Sequence, residues 1–78
     1  MIFLSYNCKG MVSPIKKTSL KIMVERFGPS IMLLQETMGL SETVKKALEK
    51  CLLGWCFEAK DAAGRSGGVA IGWRQRQI

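Results

Sequence analysis

Asn7 follows the short apolar run Ile2-Phe3-Leu4-Ser5-Tyr6, and Glu36 follows a second run, Ile31-Met32-Leu33-Leu34-Gln35. In sheets with parallel strands, ligands gather beyond the carboxyl ends of the strands. If these two runs are neighbouring strands, they lie about 4.8 Å apart. An amide and a carboxylate could then share one small site. Magnesium asks little more of a protein than one or two carboxylates, with waters and substrate phosphate oxygens completing its shell. The competing reading is a turn-forming Asn and a solvated Glu, and spacing alone leaves both open.

A second candidate is Gly64-Arg65-Ser66-Gly67-Gly68. Glycines allow backbone N–H groups to approach a phosphate, and Arg65 could pair with the anion. No helix follows to add its amino-terminal dipole, so a glycine-rich hairpin loop explains the same residues. Trp55, Phe57 and Trp73 could stack bases or pack a small core. Other chemistries lack their parts. The chain contains no histidine, which removes Ser-His-Asp and Cys-His catalysis. No second acid pairs with Glu36 as glycosidase chemistry requires.

The elements that would position these residues follow from periodicity. Ile2 to Tyr6 reads as a strand buried on both faces, ended by the turn Asn7-Cys8-Lys9-Gly10. Ser13 before Pro14 matches a helix start. Leu20, Met23, Val24 and Phe27 form one apolar stripe, and Gly28-Pro29 stops the helix. Ser30 to Gln35 repeats the buried-strand pattern. Strand, helix and strand over about 35 residues is a βαβ unit with parallel strands and a right-handed crossover. Ser41 can cap a second helix with Val44, Ala47, Leu48, Cys51 and Leu52 on its inner face, ending at Gly54. Trp55 to Ala59 and Val69 to Trp73 read as an antiparallel hairpin around the loop from Asp61 to Gly68. The expected order is β-α-β-α-β-β, an α/β layered sheet. Two helices suffice to cover one face of it. The other face needs further chain or a partner.

Composition sets outer bounds. Seventy-eight residues with 47% hydrophobic and 23% charged content form at most one domain, close to globular averages. Twelve Lys and Arg against six Asp and Glu give a net charge of +6. That excess suits a polyanion such as nucleic acid or an anionic membrane surface. Lys16, Lys17, Lys21, Lys45, Lys46 and Lys50, interspersed with Glu25, Glu42 and Glu49, also fit the solvated faces of two helices. No segment approaches a bilayer span, and Met1-Ile2-Phe3-Leu4 lacks the lead-in of a secretory signal. Cys8, Cys51 and Cys56 are an odd number without paired spacing, one ligand short of a structural zinc site. Reduced thiols in a cytoplasmic or nuclear setting, away from membranes, are expected.

Three stretches together resemble a known superfamily: the start from Ile2 to Gly10, the triplet Gln35-Glu36-Thr37, and the run GRSGGVAIGW from Gly64 to Trp73. They look like the endonuclease/exonuclease/phosphatase superfamily. The likeness is closest to endonuclease-like domains of plant non-long-terminal-repeat retrotransposons, which open on a similar W-N-C-R-G stretch. Here Tyr6 stands for the usual Trp and Lys9 for the usual Arg. The resemblance implies a four-layered α/β sandwich, of which this chain would be the first part. It implies phosphoester hydrolysis with Asn7 as a strand-end catalytic residue, Glu36 as the magnesium ligand, and Arg65, Ser66, Gly67 and Gly68 near the substrate rim. The superfamily's remaining groups, a Tyr, an Asp and an Asn, and an Asp-His pair, have no match here. The fragment is therefore expected to bind magnesium weakly and to be inactive alone. Two further readings stand beside it: a basic nucleic-acid-binding module, and an interaction unit that recruits the rest of its domain or a second copy through the bare sheet face.

Overall fold

The computed structural model describes residues 1–10, 13–61 and 67–75. Its elements run β1 (Phe3–Asn7), α1 (Pro14–Phe27), β2 (Ile31–Gln35), α2 (Ser41–Cys51), β3 (Trp55–Lys60) and β4 (Val69–Arg74). They form an α/β unit with one mixed four-stranded sheet in the order β1-β2-β4-β3. The first two strands are parallel, with Asn7 opposite Gln35. Strand β4 runs antiparallel to both β2 and β3. It thus inserts between the two strands that precede it in the chain, a position that the hairpin pattern alone does not specify.

Both helices cover one face. Their buried residues Leu20, Val24, Val44 and Leu48 join Met32, Leu34, Trp55, Phe57 and Ala70 in a single core. Gly72 makes this packing possible, because a Cβ there would lie 2.5 Å from the Phe57 ring. The opposite face is open. Phe3, Val69, Ile71 and Trp73 are 40–58% exposed, so these strands are not buried on both sides. Trp73 departs from the expected packing role for that reason, whereas Trp55 and Phe57 fill the core.

Several boundaries differ from the sequence expectations. Ser13 sits at the extended position before α1, but its side chain makes no capping bond. Phe27 is exposed and Pro29 buried; the left-handed Gly28 turns the chain between them. Strand β2 begins at Ile31, one residue after Ser30. The cap of α2 is Leu40 rather than Ser41, because the Leu40 carbonyl already accepts the Val44 N–H at 3.0 Å. That helix ends at Cys51, and Gly54, at φ +86°, serves the turn into β3.

Candidate functional site

The parallel pairing carries Asn7 and Glu36 to the carboxyl ends of the neighbouring strands β1 and β2. The ladder continues one step past β1, with the Cys8 N–H donating to the Gln35 carbonyl at 2.8 Å. The Gly10 N–H then donates to the Glu36 carbonyl at 2.9 Å. These two bonds fix the turn after β1 against the turn after β2. Across the gap, Asn7 Nδ2 donates to Glu36 Oε2 at 3.0 Å. The amide oxygen of Asn7 is left as an acceptor, and the second carboxylate oxygen of Glu36 is left as a ligand.

Glu36 holds its position at a conformational cost. Its φ is +54°, and Met38 two residues on has φ +51°. Left-handed backbone costs an ordinary L-residue roughly 1–2 kcal/mol and collects where a site must aim a side chain out of the pleat. The turn is clamped from the other side by the glycines that precede β4. Thr37 N–H donates to the Gly68 carbonyl at 3.3 Å, and Met38 N–H to the Gly67 carbonyl at 2.7 Å. Gly68 combines φ +86° with close approach to Thr37, whose hydroxyl would lie 2.8 Å from an added Cβ. Periodicity gave no sign of this contact between the residues after Glu36 and the glycine pair. The Gln35-Glu36-Thr37 and glycine-rich stretches were both singled out in the sequence, but nothing there joined them.

Of the sequence candidates, Asn7, Glu36, Gly67 and Gly68 therefore come together. Arg65 and Ser66 lie outside the described residues. Among the described residues no three His, Cys, Asp or Glu side chains group as metal ligands. The donor set is instead one carboxylate with one neighbouring amide, which fits an ion that keeps most of its waters and borrows phosphate oxygens, as magnesium does. It does not fit zinc, which wants nitrogen or sulfur donors in a closed shell. The nearby thiol of Cys8 is buried, and desolvation pushes its pKa from 9.0 up to about 11, against a smaller opposing pull from Lys16. A neutral thiol is a poor metal ligand.

Comparison with solved structures places this arrangement in a known fold. The chain superposes on an AP endonuclease from Archaeoglobus fulgidus with a TM-score of 0.72 and 20% sequence identity, over 94% of this chain and 27% of that one. The AP endonuclease LMAP from Leishmania major gives a TM-score of 0.70 at 21% identity, over 92% of this chain and 23% of that one. The fold is that of part of an AP endonuclease. The chain spans about a quarter of the length of these two structures. No family model matches the chain, and no curated protein does. Among the described residues, no helix is long and apolar enough to cross a membrane.

Proposed function

We propose that this chain is the opening part of a magnesium-dependent phosphoester hydrolase domain of the nuclease type, inactive without the rest of its site. The observation that carries the reading is the 3.0 Å Asn7–Glu36 hydrogen bond at the carboxyl ends of the parallel strand pair, in a fold shared with two AP endonucleases. Glu36 would hold the magnesium ion, and Asn7 orients the carboxylate that does so. A bound magnesium ion supplies charge withdrawal from phosphoryl oxygens. The chain has no histidine to serve as a general base for water. Residues that act as a unit lose rate in a grossly non-additive way when members are missing. The finer likeness to plant retrotransposon endonuclease-like domains rests on the motifs around Asn7, Glu36 and Gly68. Three free cysteines suit the reducing interior of a cell.

Supercoiled plasmid incubated with the chain and magnesium is the direct assay. No nicking is expected, and weak magnesium binding should disappear in Glu36→Ala. Robust nicking that Glu36→Ala abolishes would sink the claim of inactivity; magnesium binding that survives Glu36→Ala would sink the metal assignment.

A second reading concerns partners. The open sheet face, with Phe3, Ile71 and Trp73 at least 40% exposed, is suited to receive the remainder of such a domain, with self-association as the other outcome. Sedimentation over a concentration series separates a monomer from a self-associating chain.

A further inference from the structure

On the helical side, two adjoining hollows of about 330 and 420 Å³ run between α1 and α2, and both are lined by Lys21 and Lys50. Lys17 and Thr18 line one end, and Arg74 and Glu25 the other. Four cations thus face one carboxylate. The chain does neutralise a lysine elsewhere, since Lys45 pairs with Glu58 at 3.6 Å. Among the described residues, none of the groove cations has a carboxylate within ion-pair distance. Arg74 spends its Nε–H on the Pro29 carbonyl at 3.1 Å and lies 5.1 Å over the Trp55 ring. The terminal nitrogens of its guanidinium remain as donors.

We propose that this groove is a second polyanion site, which grips the phosphodiester backbone of a nucleic-acid strand without reading its bases. Uncompensated like charges on two facing walls repel one another, and a chain of phosphates removes that repulsion while releasing its own counterions. The concave form selects the partner. A strand of phosphates can enter between two helices, whereas a flat bilayer meets only their crests. Apart from its charges, the side chains of the lining offer the Thr18 hydroxyl, the Cys51 thiol and the Trp55 indole N–H. None of them is a bidentate reader of base edges, so contacts would position the strand and carry no sequence information.

The groove is independent of the strand-end site. Arg74 N–H donates to the Ser30 carbonyl at 3.2 Å, which puts that end of the groove beside the start of β2, at the opposite end of the strand from Glu36. It also lies on the face opposite the bare sheet, so it stays accessible whatever covers that surface.

The test is fluorescence anisotropy with a labelled mixed-sequence single-stranded oligonucleotide and the full chain, across a salt series. Lys21→Glu with Lys50→Glu should weaken binding at least about tenfold and lower the log–log salt slope by about 1.4, two phosphate contacts' worth. Lys46→Glu with Lys60→Glu carries the same charge change outside the groove and should alter affinity by less than about twofold by the same counterion reasoning. Far-UV circular dichroism checks the fold of each variant, and Lys21→Gln with Lys50→Gln replaces the reversal if it unfolds. Equal weakening by both double variants overturns the proposal. So does absence of wild-type binding at low salt, or preference for phosphatidylserine vesicles over the oligonucleotide. Plasmid nicking is untouched by any of these outcomes, so the two readings fail separately.

Discussion

The two faces of the sheet are built from the same strands in alternate positions, yet they live in different environments. Toward the helices, Met32, Leu34, Phe57 and Ala70 are at most 1% exposed. Away from them, Ile71 and Trp73 remain about 40% exposed, though they are no less apolar. The difference shows that apolarity specifies a strand's readiness to be covered, and that the cover itself has to come from other elements. The buried core of this unit lies between the helix layer and the sheet face that it covers. The strand-end site lies at the carboxyl ends of β1 and β2, where Glu36 and Met38 hold left-handed backbone.

The sharpest way to break the comparison is to truncate one residue on each face. Phe57→Ala should cost about 3–5 kcal/mol, as for other buried aromatics, and Ile71→Thr on the adjacent strand less than about 0.5 kcal/mol. Urea denaturation measures both. Equal losses would mean that the open face is already packed against something.

The next effect concerns Cys8, buried at the boundary between core and site. Its thiol holds its proton in the folded chain up to about pH 11, against 9.0 ordinarily, chiefly through desolvation. Below pH 9 both folded and unfolded chains keep the proton. Between 9 and 11 the unfolded chain releases it first, so stability falls as pH rises, at up to about 1.4 kcal/mol per unit. Cys8→Ala should flatten that slope in denaturation midpoints measured across this range.

The smallest effect has the opposite sign. Glu36→Gly should relieve the left-handed strain and stabilise the chain by up to about 1 kcal/mol, while magnesium binding is lost. A rise in thermal midpoint without loss of metal binding would separate the strain from the site; a fall would show that the Asn7 bond outweighs it.

Much of this was legible in the residues. The parallel pairing of the two apolar runs followed from strand length and the intervening helix; that they are neighbours, and so that Asn7 meets Glu36, took the structure to decide. The hairpin direction followed from the glycine-rich stretch. What escaped is non-local. The insertion of β4 between β2 and β3 depends on which edge the hairpin docks against, and Ala70 and Gly72 show their fit against the helices and Phe57 only once that docking is known. The cap at Leu40 escaped because it uses a backbone carbonyl alone, so no side-chain signature announces it. The gathering of Lys17, Lys21, Lys50 and Arg74 escaped because Arg74 arrives from a strand while the lysines come from two helices.

The strand order has a consequence for behaviour at high concentration. With β1 and β3 outermost among the described residues, each has one side unpaired by any described strand and able to template another, a hazard that charged side chains ordinarily blunt. Strand β3 carries Glu58 and Lys60, whereas Phe3-Leu4-Ser5-Tyr6-Asn7 in β1 has no charge at all. Fibrillar growth by edge-to-edge addition should therefore begin at β1, the strand that also carries Asn7.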